Sequence, residues 1–120
     1  RLRQHQTFCR QMLATEIAGA VMVQNNRLVQ VNSCAARLFG QAPEALLHLP
    51  SIASIIAYED LERVRAALER CHTHRQQPLS LNIGITHKSG QVIPVVAQGI
   101  SLDFRAQPAV MMIMNRVDAE

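Results

Sequence analysis

The chain has 120 residues, of which 48% are hydrophobic, which suffices for one ordinary domain with a packed core. Aromatic residues make up only 3%, and the net charge of +3 is spread along the chain, which argues against nucleic-acid binding by base stacking or phosphate tracking. The three cysteines have no paired spacing, and no apolar run reaches the ~18 residues that cross a bilayer. The composition therefore predicts a cytoplasmic globular domain with reduced thiols and no membrane span in this segment.

Residues 2–17 are predicted to form an amphipathic helix that flanks the domain. Apolar side chains recur there at helical spacing, and no Gly or Pro interrupts them. A short amphipathic helix at the edge of a domain usually packs on its own domain or on a second copy of the chain. We expect a homodimer in which four side chains of this helix are buried between the copies: Leu2, Cys9, Leu13 and Ile17.

Two predicted strands follow this helix and form a tight hairpin. The apolar run "AVMVQ" at 20–24 is followed by Asn25 and Asn26, a residue type that tolerates positive φ. The segment "RLVQV" at 27–31 then alternates between polar and apolar residues, as a half-buried strand does.

A series of short helices is predicted after the hairpin. Asn32 is a good N-cap for "SCAARLF", and Gly40 ends that helix, as a left-handed residue at a helix C-terminus does. Pro43 begins a second short helix, because proline is favoured in the first turn. Ser51 is placed to cap a third brief turn, "IASII".

A longer helix, "LERVRAALERCHTH", is predicted to start after Asp60 as its N-cap. Glu59 and Arg63 are expected to form an i,i+4 ion pair, and Pro78 marks the far side of the helix exit. The apolar face of this helix is formed by Leu61, Val64, Leu68 and Cys71.

After the longer helix the hydrophobic period changes to two, which predicts three strands. The first covers 79–86, a turn "HKSG" follows, and the second covers 91–102, where Pro94 must avoid a ladder hydrogen bond. Residues 103–108 are predicted to be a loop before the last strand at 109–114. Five strands in two groups separated by helices indicate an α+β fold, with one antiparallel sheet and helices packed on one face.

This order of elements resembles the PAS sensory domain family over about residues 17–118. Three segments carry the resemblance: "AGAVMVQNNRLVQVNSCAARLFGQAPEALL", "IAYEDLERVRAAL" and "NIGITHKSGQVIPVVAQGISL". The resemblance implies a PAS-like five-stranded antiparallel sheet with short helices and one longer helix on one face. It divides the chain into an N-terminal flanking helix at 1–17 and a PAS-like domain at 18–118.

The resemblance implies a non-enzymatic sensory and dimerisation domain of a larger signal-transduction protein. Such a domain relays a signal to an attached output domain, here of the histidine kinase or cyclic-dinucleotide enzyme type. The sequence departs from the family at Tyr58, where Pro is frequent, and at Arg116, near the Asp of the usual output motif. Asp118 lies two residues beyond that position. No Ser-His-Asp spacing or phosphate-binding Gly loop indicates catalysis.

A PAS domain that senses through haem or flavin is the alternative. The axial His of one class of haem PAS domains corresponds here to Val64, which cannot ligate iron, whereas His48 lies where another class has its ligand. The reactive Cys of photochemical flavin PAS domains has no counterpart in "LLHLPSIASII". Flavin binding without a reactive Cys stays open as an alternative.

The family's cavity lies between the sheet and the longer helix. In this chain its walls would come from Val64, Leu68, Ile83, Ile85, Val95 and Ala97. These side chains either fill a dry core or enclose a small, mostly apolar ligand.

The stretch "ERCHTHRQQ" contains Cys71, His72 and His74 and raises the question of a metal site. On a helix the two histidines point to different sides, and a closed zinc site needs four ligands, usually from two clusters. No second Cys/His pair exists in the sequence. The stretch is better interpreted as a helix end where cations are favoured, and no metal site is predicted.

Overall fold

A computed structural model describes residues 18–73 and 78–117. The segment 1–17, with the predicted dimer contacts Leu2, Cys9, Leu13 and Ile17, lies outside the described residues. His74 and Asp118 also lie outside them. None of the helices in the described ranges is long and apolar enough to cross a membrane.

The described chain contains one five-stranded sheet in which every neighbouring pair is antiparallel, as predicted. The spatial order is β2-β1-β5-β4-β3, so the first and the last strand are neighbours at the centre. The strands are β1 (Gly19–Gln24), β2 (Arg27–Val31), β3 (Leu79–Thr86), β4 (Val92–Phe104) and β5 (Gln107–Arg116).

Three helices and two short 3₁₀ turns connect the two groups of strands and pack on one face of the sheet. The helices are α1 (Ser33–Phe39), α2 (Pro43–Leu47) and α3 (Leu61–Thr73), and the 3₁₀ turns are Ile52–Ser54 and Tyr58–Asp60. Their buried side chains join those of all five strands in one apolar cluster, which we call the inner-face cluster. The predicted arrangement, with one longer helix and several short ones on one face, is confirmed.

Four of the predicted caps and turns have the expected local geometry. The side chain of Asn32 accepts a hydrogen bond from the Ala35 amide, and Gly40 is left-handed with φ 72°. The hydroxyl of Ser51 accepts from Ala53, and Pro43 occupies the first turn of α2. Each of these signals acts within a few residues of the chain, which is why the sequence reveals it.

The predicted loop at 103–108 is wrong, because β4 and β5 form a tight hairpin there. Arg105 and Ala106 alone make the turn, with φ of 53° and 65°. The Asn25–Asn26 turn has the same left-handed backbone, but there the residue type favours it. Arg105 and Ala106 carry no such signal, so the sheet imposes their conformation.

α3 begins directly after Asp60, as predicted, but the contacts of Asp60 and Arg63 differ from the prediction. Asp60 ends a 3₁₀ turn, and its Oδ2 accepts a hydrogen bond of 2.8 Å from the Gly84 amide of β3. Its Oδ1 lies 3.1 Å from Arg63, so the predicted Glu59–Arg63 pair is replaced by an Asp60–Arg63 pair. Arg63 also donates to the carbonyl of Asn82, and together the two charged side chains join the start of α3 to the outermost strand.

Candidate functional site

A small cavity lies in the inner-face cluster between the helices and the sheet. Its volume is about 10 Å³. Only apolar side chains line it: Val21, Val23, Leu28, Phe39, Ile52, Ile55, Ile56, Val64, Met112 and Met114. The side chains around the cavity are therefore closely packed.

The structure places the six residues predicted to line a pocket at different positions around the described core. Val64 lines the cavity, whereas Leu68 lies on an open surface cleft. The four strand residues of the set are buried in the inner-face cluster: Ile83, Ile85, Val95 and Ala97. Two of them, Ile83 and Val95, also line an open cleft beside β3 and β4. Ile83 and Val95 pair directly across β3 and β4.

Sequence reasoning missed most of the residues that do line the cavity. Phe39 comes from α1, Ile52 from a 3₁₀ turn, and Met112 and Met114 from β5. The alternation in "AVMMIM" predicts that one set of these methionines faces the helices, but only the sheet order shows that β5 is central.

The cavity is much smaller than the pockets that usually hold a cofactor. A volume of 10 Å³ holds about one water molecule, whereas cofactor sites usually occupy about 300–1,000 Å³. His48 is exposed at the end of α2, and its Nδ1 lies 2.7 Å from the carbonyl oxygen of Glu44. Its ring is therefore held at the surface and does not line the cavity.

The open cleft beside α3 is wider and more polar than the cavity. It measures about 380 Å³ and lies between α3 and the tips of the hairpins. Leu68, Arg65, Glu69 and His72 line its helical side. Within the described parts of the chain, no group of three or more His, Cys, Asp or Glu is arranged to hold a metal ion.

The second feature of functional interest is where the chain enters and leaves the domain. Gly19 at the start of β1 pairs with Met114 near the end of β5, at the centre of the sheet. Beyond β5, the amide of Val117 donates a hydrogen bond of 2.9 Å to the carbonyl of Pro94 in β4. The two flanks of the domain therefore leave from the same end of adjacent strands.

Asn32 connects the chain's point of entry to the helix that covers the cavity. Its Oδ1 accepts hydrogen bonds from the amides of Ala20 (3.0 Å) and Ala35 (2.8 Å). Its Nδ2 donates to the carbonyl of Ala18 at 2.9 Å. The side chain is only 4% exposed, so the start of β1 and the start of α1 are bonded through one buried group.

An antiparallel five-stranded sheet, a helical layer on one face and a cavity between them define a PAS-like α+β domain. A family model described as "PAS fold" matches residues 28–113, and the chain belongs to this family. PAS domains are typical of signalling proteins such as histidine kinases, where they are generally sensory and non-catalytic.

Solved structures with the same fold cover nearly the whole chain. A PAS domain from a two-component sensor histidine kinase has 14% identity and a TM-score of 0.70, covering 98% of this chain and 100% of its own. The PAS domain of an HTR-like protein from Haloarcula marismortui has 13% identity and a TM-score of 0.75, with 96% and 95% covered. That of a LuxR-family transcriptional regulator from Burkholderia thailandensis, in complex with ethanol, has 16% identity and a TM-score of 0.73, with 92% and 97% covered. No curated protein matches the sequence significantly.

Proposed function

We propose that this chain is a non-enzymatic sensory and dimerisation domain that relays a signal to an attached output domain of the kinase or cyclic-dinucleotide enzyme type. The pairing of β1 with β5 carries the proposal, since it makes the strands next to the two flanks direct neighbours. A displacement of one flank is then transmitted to the other through the hydrogen bonds of the central ladder.

The relay would start in the helical layer. α1 contributes Phe39 to the cavity wall, so a change in core packing moves this helix. Asn32 bonds the start of α1 to Ala18 and Ala20, and the movement therefore reaches β1. From β1 it passes to β5 over the paired residues Gly19–Val23 and so to the chain leaving the domain.

We further propose that the domain acts as a homodimer in the cytoplasm and without a cofactor. The dimer contact would be the apolar stripe of the flanking segment, Leu2, Cys9, Leu13 and Ile17. The three cysteines have no paired spacing, which supports a reducing compartment. The ethanol of the Burkholderia domain belongs to that protein, and the 10 Å³ cavity here argues for a core that works without a ligand.

Light scattering during size exclusion tests the dimer on residues 1–120. We expect a mass near twice the 13.4 kDa of one chain, and a single-chain mass for Leu13→Asp. Gln11→Asp adds the same charge outside the predicted stripe and should leave the dimer intact. A wild-type chain that runs as a monomer would refute the dimer.

The relay is tested by fusing residues 1–120 to a histidine kinase core that lacks its own sensory domain. Autophosphorylation should differ between the wild-type and Leu13→Asp fusions and agree between wild type and Gln11→Asp. Equal rates in all three fusions would count against signal transfer through this domain.

Absorbance spectra with added hemin or flavin test the proposal that the core works without a cofactor. The spectra should stay those of the free cofactors, and a shifted Soret or flavin band would overturn the proposal.

A further inference from the structure

The open cleft beside α3, which we call the α3 cleft, has a charged helical wall. Its volume of about 380 Å³ lies within the range of about 300–1,000 Å³ that is usual for small-molecule sites. The helical wall is formed by Arg65, Leu68, Glu69 and His72. These positions have the spacing i, i+3, i+4 and i+7, so one continuous stripe of α3 faces the cleft.

The floor of the α3 cleft is apolar. Val23 and Val110, which pair across β1 and β5, line it together with Pro108 and Ala109. Leu68 adds an aliphatic side chain from the helix and packs against the inner-face cluster. A molecule in this cleft can therefore place an aliphatic group on the floor and its polar groups toward the helix.

Two opposite charges on the helical wall do not pair with each other. Arg65 precedes Glu69 by four positions, and an i,i+4 pair with the cation first is the less favourable order. The Arg65 guanidinium lies instead 4.0 Å from Glu62, and both side chains are more than half exposed, so this contact contributes little. Within the described ranges, no ion pair involves Glu69. Both charges are therefore available to a ligand.

The wall opposite the helix adds an oriented amide, that of Gln24. Its Nε2 donates to three backbone carbonyls of the β4–β5 hairpin, those of Phe104, Gln107 and Pro108, at 2.9, 3.1 and 3.3 Å. These three acceptors determine which end of the amide carries the nitrogen. Since no described residue donates to the oxygen, Oε1 is left to accept from a cationic group in the cleft.

We propose that the α3 cleft binds a free α-amino acid with an aliphatic side chain. The guanidinium of Arg65 holds its carboxylate, and the Glu69 carboxylate and Gln24 Oε1 accept from its ammonium. Side chains four positions apart on a helix have Cβ atoms about 5–6 Å apart, which suits a ligand whose two charges lie close together. The aliphatic side chain lies on the apolar floor.

Binding of this kind goes beyond the relay and gives it an input. The ligand contacts Val23 and Val110, which pair at the end of the β1–β5 ladder away from the flanks. Val23 also lines the interior cavity, so the contact reaches the packed core from outside. The binding itself depends neither on signal transfer nor on dimerisation.

An NMR titration of residues 1–120 with L-leucine tests the proposal, because backbone amide shifts report both the affinity and the position of the probe. We expect saturable shifts at Val23, Leu68, Glu69 and Val110. Two analogues of similar shape each lack one charge: isoamylamine has no carboxylate, and 4-methylpentanoate has no ammonium. Each should bind at least about tenfold more weakly than L-leucine, because one charge-assisted contact is lost.

Variants at the two charged positions assign each contact. Arg65→Gln should abolish the preference for L-leucine over isoamylamine, and Glu69→Gln should abolish the preference over 4-methylpentanoate. Both side chains are exposed, so neither change should disturb the fold. Arg70→Gln and Glu44→Gln remove the same charges from exposed side chains outside the cleft and should leave both preferences intact.

Three results would overturn the proposal. The absence of saturable shifts with L-leucine up to its solubility limit would show that the cleft binds no such amino acid. Shifts centred on Phe39 and Met112 would place the probe in the interior cavity instead. Equal affinities for the three probes, or the same preferences in the Arg65 and Arg70 variants, would show that the charges of the helical wall do not hold the ligand.

Discussion

Asn32 combines one local role, as a helix cap, with one long-range role. Its position before "SCAARLF" predicts a helix cap, and the Ala35 bond confirms it. The bonds to Ala18 and Ala20, by contrast, join residues twelve or more positions apart. The cap was therefore predictable, whereas the connection to β1 depends on how the hairpin folds back.

We predict that Asn32→Ala lowers the free energy of unfolding by about 2–4 kcal/mol, because it leaves the buried amides and carbonyl of its partners unsatisfied. The measurement is urea unfolding followed by circular dichroism. Asn115→Ala is the matched control, since Asn115 is exposed near the end of β5 and should change stability by no more than about 0.5 kcal/mol. Equal losses in the two variants would contradict the role of Asn32.

At the scale of elements, the junction of α3 with β3 protects an edge of the sheet. β3 is an outermost strand, and unpaired backbone groups on such a strand invite pairing with other chains. Asp60 accepts a hydrogen bond from the Gly84 amide, and Arg63 donates one to the Asn82 carbonyl. The amide of Ala57 bonds the Gly84 carbonyl as well, so much of this edge is satisfied from within the chain.

Asp60→Ala should destabilise the domain by about 1–3 kcal/mol, because the Gly84 amide loses its side-chain acceptor and Arg63 loses its ion pair. Hydrogen exchange of the Gly84 amide should accelerate, and unfolding in urea gives the total loss. Glu62→Ala provides the comparison, because Glu62 is 89% exposed and lies 4.0 Å from Arg65, so it should change stability by less than about 0.5 kcal/mol. An unchanged exchange rate at Gly84 in the Asp60 variant would show that the hydrogen bond does not hold the edge.

For the whole molecule, the decisive property is how closely the helical layer packs on the sheet in the described part of the chain. The helices bring Phe39, Ile55 and Val64 onto the central strands, and the space left between them is only about 10 Å³. The family resemblance predicts where a cavity lies, but its volume depends on side chains from α1, a 3₁₀ turn, α3 and β5 at once. The cavity volume therefore cannot be read from the positions of these residues along the sequence.

A small apolar probe such as benzene should therefore leave the melting temperature of the wild type unchanged. Phe39→Ala should lower stability by about 3–5 kcal/mol and open a dry apolar cavity, so that benzene restores part of the melting temperature. Phe104→Ala removes a ring from the face of the sheet opposite the helices and should show no such rescue. A clear rise in the wild-type melting temperature with benzene would mean that the core holds a ligand pocket.

The sequence by itself determined the features that depend on a few neighbouring residues. The Asn25–Asn26 turn, the caps at Asn32 and Ser51, and the left-handed Gly40 follow from local backbone preferences. The alternation in β3 and β5 likewise predicted strands with one buried face, which together with the helices define the fold class.

Only the tertiary structure decided what depends on contacts between distant segments. In the folded chain Arg105 and Ala106 form the turn of a tight hairpin, and Asp60 accepts a hydrogen bond from the Gly84 amide. The fold also places β1 beside β5 at the centre of the sheet. It also determined which side chains line the cavity of about 10 Å³ between the helices and the sheet. Hydrogen bonds and packing across the sheet outweigh local preference at these positions, because each joins groups that the sequence keeps far apart.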